Sequence, residues 1–143
     1  MGISIKQLHE HFVGEVSGID LRVPLSPDQA REIHEGMDRY GILIFHDQDL
    51  TDEQQVAYTR NFGEIELAVG SNVFKENQRR LRLEMADVSN LDQDGRVLAR
   101  NDRRRMFNLG NRLWHSDSSF RVTPSKFSLL SCRSVPPKGG NTE

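Results

Sequence analysis

His115 and Asp117, in the run Trp114-His115-Ser116-Asp117, carry the sharpest chemical signal in the chain. On a strand, positions i and i+2 project from the same face. An imidazole nitrogen and a carboxylate oxygen can then converge on one ion. These are two members of a two-histidine, one-carboxylate facial set, which leaves three positions open on Fe(II) for a co-substrate and dioxygen. His-X-Asp on its own is equally the signature of a hydrogen-bonded pair on a surface or edge strand. Both readings stand at this level.

The neighbouring residues have ordinary readings of their own. Asn111 is flanked by Asn108 and Gly110 and fits a turn, and Thr142 fits a strand start after Gly139-Gly140. Trp114 is read as core packing and His46 as a structural histidine after a buried strand. His9, His11 and His34 are assigned to the surface, and Cys132 is read as a small buried hydrophobe. Arg100, Arg103, Arg104 and Arg105 are read as a solvated loop, with a pocket for an anionic ligand as the second reading. No Ser-His-Asp arrangement and no phosphate-cradling glycine loop is legible.

Several elements must position these residues. Ile3, Ile5 and Leu8, then Val13 to Ile19, read as short strands punctuated by glycine. Ser26-Pro27-Asp28-Gln29 opens a helix with a capping box and proline at its first position. Ala30, Ile33, Met37 and Tyr40 continue it at helical spacing, and Gly41 stops it. Ile42-Leu43-Ile44-Phe45 reads as a strand buried on both faces. Thr51 and Gln54 make a second capping box for a helix that runs through Val56, Tyr58 and Phe62 to Gly63. Asp92-Gln93-Asp94-Gly95 is a turn. From Leu113 onward a strand pattern returns, with Phe127 to Cys132 as its apolar run and Val135 to Gly140 as a rigid turn.

The 143 residues suit one domain, with 36% hydrophobic and 28% charged residues. A net charge of −2, from 19 basic and 21 acidic residues, gives no general attraction to nucleic acid or anionic membranes. The isoelectric point near 6.2 and mean hydropathy of −0.62 agree with that. No apolar run approaches the roughly 20 residues a membrane span needs. A single cysteine cannot make an internal disulfide and suits a reducing compartment. A cytoplasmic location is therefore expected.

Taken together, Asn111, the run Trp114-His115-Ser116-Asp117-Ser118-Ser119-Phe120, Pro136-Pro137 and Gly139-Gly140-Asn141-Thr142-Glu143 give the chain a family likeness. It resembles the Fe(II)/2-oxoglutarate-dependent dioxygenases of the taurine and 2,4-dichlorophenoxyacetate dioxygenase family. Gly18-Ile19-Asp20-Leu21, Phe45-His46-Asp47-Gln48, Asp52-Glu53-Gln54-Gln55, Arg60-Asn61-Phe62-Gly63, Val88-Ser89-Asn90 and Asp94-Gly95 extend the resemblance along the chain. The Trp-His-Ser-Asp-Ser-Ser-Phe run is most similar to the 2,4-dichlorophenoxyacetate branch.

The resemblance implies an α+β fold: a double-stranded β-helix (jelly-roll, clavaminate-synthase-like) with flanking helices, here truncated. It implies that His115 and Asp117 are iron ligands and catalytic, that Thr142 bonds a carboxylate of 2-oxoglutarate, and that Asn111 lines the substrate side. The implied cofactors are Fe(II), 2-oxoglutarate as co-substrate and O₂. The implied reaction hydroxylates a small carboxylate such as a phenoxyacetate, with release of succinate and CO₂. Hydroxylation beside an ether oxygen gives an unstable hemiacetal, which falls apart into a phenol and glyoxylate. A small-molecule carboxylate is the expected partner, with no nucleic acid, no membrane, and a homo-oligomer as the full-length state. The family's second histidine and its 2-oxoglutarate-binding arginine would lie beyond Glu143, since no histidine follows Asp117. Residues 1–143 are thus expected to be the N-terminal part of a single dioxygenase domain, inactive alone. A non-catalytic carboxylate-binding domain and a pseudoenzyme fragment are the alternatives.

Overall fold

A computed structural model describes residues 2–68 and 79–139. The chain divides into two compact units, Met1–Gly110 and Asn111–Glu143.

The first unit is built on a mixed three-stranded sheet in the order β1-β2-β3. Strand β1 (Ser4–Gln7) pairs antiparallel with β2 (Gly14–Ser17), with Ile5 opposite Val16. Strand β3 (Leu43–Phe45) pairs parallel with β2, with Gly14 opposite Leu43. Parallel neighbours need a crossover, and helix α1 (Pro27–Tyr40) lies within it. Its capping box forms as expected: Ser26 Oγ accepts the Gln29 N–H at 3.2 Å, and Gln29 Oε1 accepts the Ser26 N–H at 2.9 Å. At the other end Gly41, at φ 69°, donates its N–H to the Met37 carbonyl.

The helix lies close against the sheet because two glycines leave room for it. A Cβ at Gly14 would stand 2.6 Å from Ile5 Cγ2, 2.9 Å from Leu43 Cδ2 and 3.0 Å from the Tyr40 ring. A Cβ at Gly36, which is buried in α1, would meet Ile5 Cδ1 at 2.6 Å. The carbonyl of Tyr40, one of those a helix end leaves without an internal partner, accepts the Val13 N–H at 3.0 Å. Val13 makes this bond at φ 68°, a conformation that costs a β-branched residue about 1–3 kcal/mol.

Helix α2 (Asp52–Thr59) carries the second expected capping box, from Thr51 and Gln54, and tightens into a 3₁₀ turn, Arg60–Phe62, before Gly63. Gln48 ties the segment before it to the loop before α1. Its Oε1 accepts the Leu21 N–H at 2.8 Å, and its Nε2 donates to the His46 and Ile19 carbonyls at 3.0 and 3.3 Å. The core is made of Val16, Leu21, Ile33, Tyr40, Leu50, Val56, Tyr58 and Leu98. Full burial of an aliphatic side chain of this size stabilises by roughly 1.5–3 kcal/mol. Phe45, Tyr58 and Phe62 meet edge to face, at 6.2 and 5.3 Å between successive ring centres. The expected turn at Asp92 forms, with its Oδ1 accepting the N–H groups of Asp94 and Arg96.

Five expectations are corrected. The strand at Ile42 to Phe45 is not buried on both faces: Ile42 and Ile44, which share one face, are exposed, while Leu43 and Phe45 on the other are half-buried. Of the arginine cluster, Arg100 lies in an exposed turn, but Arg103, Arg104 and Arg105 are not in a loop, since Arg103–Asn108 is a short helix, α3, capped by Asp102. Trp114 is 83% exposed rather than packed in a core, and Cys132 is exposed too. No strand forms among the described residues of the second unit, and none of them is buried. A strand needs a ladder partner, and none pairs with this segment among the described residues.

Gly14→Ala is therefore expected to lower stability by about 1–3 kcal/mol, since the side chains of Ile5, Leu43 and Tyr40 crowd the added methyl. Urea denaturation checks this, and an unchanged midpoint would show that α1 and the sheet can part at little cost.

Candidate metal centre

The chain leaves α3 through a 3₁₀ turn, Leu109–Arg112, in which Asn111 is exposed. His115 follows. Its Nδ1 lies 2.7 Å from the Leu113 carbonyl, so Nδ1 is the protonated, donating nitrogen. Anchoring one ring nitrogen to a carbonyl fixes the tautomer and leaves the other as a lone-pair donor. Nε2 then faces Asp117 Oδ1 at 3.2 Å.

His115 and Asp117 do come together, but not through strand geometry. Asp117 enters a turn in which Ser118 has φ 56°, the Ser118 carbonyl accepts the Arg121 N–H at 2.9 Å and Ser119 Oγ donates to the Ser116 carbonyl at 3.2 Å. A lone-pair nitrogen and a carboxylate oxygen repel at such a distance unless positive charge lies against both. A second proton on the imidazole supplies it, and so does a metal ion. Cis ligands at about 2.1 Å from an octahedral ion stand about 3 Å apart. The donor types and their spacing thus fit a divalent cation.

Among the described residues no third histidine, cysteine, aspartate or glutamate joins the pair. Thr142 lies outside the described residues. Ser128 was not singled out from the sequence. Its hydroxyl donates to Asp117 Oδ2 at 2.6 Å across eleven residues, a separation that no local spacing rule flags.

Of the arginines before the site, Arg104 and Arg105 are engaged elsewhere. Arg104 forks onto Asp102, with Nε to Oδ1 at 3.0 Å and Nη2 to Oδ2 at 2.9 Å, and Arg105 reaches the Leu98 carbonyl at 3.5 Å. The hydrogen bonds from Arg104 hold the Asp102 carboxyl down at about 2. Of the other histidines, His46 faces Glu15 at 3.1 Å, His34 faces Asp38 at 3.2 Å and His11 faces Glu10 at 3.3 Å, while His9 Nδ1 accepts the His11 N–H at 3.2 Å. In the first unit an open groove of about 560 Å³ is lined by Arg60, Gly63, Glu64, Ile65, Leu67 and Glu84. No helix among the described residues is long and apolar enough to cross a membrane.

A depressed carboxyl stabilises the fold above its unfolded value and loses that contribution as pH falls through its folded value. The Asp102 contribution is accordingly present above about pH 4 and is lost as pH falls through about 2. Asp102→Asn, which keeps a good helix cap but removes the charge, should flatten this part of the acid-denaturation profile. A wild-type profile between pH 4 and 2 in the Asp102→Asn variant would show that the pair contributes nothing.

Comparison with known proteins places the chain among oxygenases. The family described as "Taurine catabolism dioxygenase TauD, TfdA family" matches residues 4–143. The alpha-ketoglutarate-dependent 2,4-dichlorophenoxyacetate dioxygenase of Burkholderia sp. (strain RASC) is 41% identical over all of this chain and 48% of its own length. The enzyme of the same description from Cupriavidus pinatubonensis (strain JMP 134 / LMG 1197) is 42% identical over all of this chain and 50% of its own. Among solved structures, AAD-2 in complex with Mn(II) and N-oxalylglycine superimposes with a TM-score of 0.90 at 59% identity, covering 97% of this chain and 48% of that one. The chain spans about half the length of the curated relatives it matches.

Proposed function

We propose, from the premise that the chain belongs to the TauD/TfdA dioxygenase family, that it supplies the N-terminal half of an Fe(II)- and 2-oxoglutarate-dependent dioxygenase acting on a small carboxylate. The observation that carries this reading is the His115–Asp117 pair, held at 3.2 Å with Nε2 and Oδ1 facing each other. It lies in a chain 41–42% identical to two 2,4-dichlorophenoxyacetate dioxygenases. Residues 1–143 are one part of a single catalytic domain, whose complete fold is a double-stranded β-helix with flanking helices.

In this reading His115 gives Nε2 and Asp117 gives Oδ1 to the iron, and both are catalytic in that sense. The Leu113 carbonyl holds the imidazole in the ligating tautomer. Thr142 donates its hydroxyl to a carboxylate of 2-oxoglutarate, and Asn111 lines the substrate side. N-oxalylglycine, the molecule bound to AAD-2, has an NH where 2-oxoglutarate has a CH₂, which supports 2-oxoglutarate as the co-substrate. Bound iron supplies the dioxygen chemistry, in which one oxygen atom enters 2-oxoglutarate as it becomes succinate and CO₂ and the other enters a substrate C–H bond. With a phenoxyacetate, hydroxylation at the carbon beside the ether oxygen gives a hemiacetal, and cleavage of its C–O bond releases a phenol and glyoxylate. The full-length protein is expected to act in the cytoplasm as a homo-oligomer.

Succinate and phenol release by the full-length protein tests the reading. His115→Ala and Asp117→Ala remove ligands directly. Each should reduce turnover by more than the roughly 100-fold that loss of an outer-shell partner can cost. Wild-type turnover in either variant would overturn the ligand assignment. Succinate release driven by another carboxylate, with no phenol from any phenoxyalkanoate, would overturn the substrate class alone.

A further inference from the structure

We infer that Ser128 is a positioning residue that holds Asp117 to one-oxygen coordination of the metal, an inference resting on His115 and Asp117 being ligands. The two carboxylate oxygens of Asp117 have different neighbours. Oδ1 faces His115 Nε2 at 3.2 Å, while Oδ2 accepts the Ser128 hydroxyl at 2.6 Å. That length is in the range of a charge-assisted O–H···O⁻ bond. An oxygen tied in this way is turned from the ion that Oδ1 would hold.

The consequence concerns the open coordination positions. A carboxylate with both oxygens free can swing to chelate the ion and so occupy a second position. Two-oxygen binding by Asp117 would then compete with the co-substrate or dioxygen. The Ser128 hydroxyl opposes that swing by engaging Oδ2. A second link, Ser118 Oγ to Ser125 Oγ at 3.5 Å, spans the same loop and helps bring Ser128 across to Asp117. Ser128 does not touch the metal and acts through Asp117.

Mn(II) binding to the full-length protein, followed by the electron paramagnetic resonance signal of free Mn(II), and 2-oxoglutarate binding to the Mn(II)-loaded protein test this in the wild type and in Ser128→Ala, Ser128→Thr, Ser128→Val and His115→Ala variants. Ser128→Ala should keep Mn(II) but weaken 2-oxoglutarate binding to the Mn(II)-loaded protein by roughly 10–100-fold, because chelation by Asp117 fills a position the co-substrate needs. It should also shift the visible absorption of the Co(II)-loaded protein, as two-oxygen coordination replaces one. Ser128→Thr, which keeps the hydroxyl, should restore both. Should the alanine variant not fold, the threonine and valine proteins decide, because they match in shape and differ in the hydroxyl. Loss of Mn(II) binding in His115→Ala with wild-type 2-oxoglutarate binding and spectra in the Ser128 variants would overturn the role of Ser128 alone. Wild-type Mn(II) binding by His115→Ala would overturn the ligand assignment on which it rests.

Discussion

A helix can lie on a sheet at this range only where side chains give way, and in the first unit that condition is met by Gly14 in β2 and Gly36 in α1. The interior around them is filled from neighbouring positions by Ile5, Leu43 and Tyr40. The Tyr40 carbonyl can then take up the Val13 N–H, and β3 emerges from the helix aligned for parallel pairing with β2. The segment after β3 in turn carries Gln48, whose amide secures the loop containing Leu21. Each contact presupposes the one before it, and all of them presuppose the missing side chains.

The capping boxes at Ser26 and Thr51 were legible because a cap is a local contract between residues three apart. The turn at Asp92 was legible for the same reason. The roles of Gly14 and Gly36 were not, since only the partner surface reveals why a side chain is absent. Ile42 to Phe45 misled because a continuous apolar run describes a strand covered on both faces and a strand covered on one alike. Phe127 to Cys132 misled in another way: apolar content suits a strand, but a strand exists only with a ladder partner.

The candidate centre divides along the same line. His115 and Asp117 were visible as donors of compatible chemistry, and the family motif drew them out of a background of ordinary His-X-Asp triplets. Strand periodicity was the wrong geometric reason for their convergence, which a turn with Ser118 in the left-handed region produces. The Leu113 carbonyl and the Ser128 hydroxyl carry no signature in the sequence, because serving as a hydrogen-bond partner requires only a place. The clustered arginines show the converse: a conspicuous run of charge whose Arg104 is spent on its own helix cap.

The parallel pairing of β2 with β3 also orders events in time. The β1–β2 hairpin closes a short loop, whereas the β2–β3 ladder encloses all of α1. Loop length itself adds little, about 0.6 kcal/mol for each doubling. The larger requirement is that α1 be wound, since an extended chain there could not present Gly36 to Ile5 or the Tyr40 carbonyl to Val13. The third strand can accordingly pair only once the helix is wound, whereas the β1–β2 pairing is local in sequence.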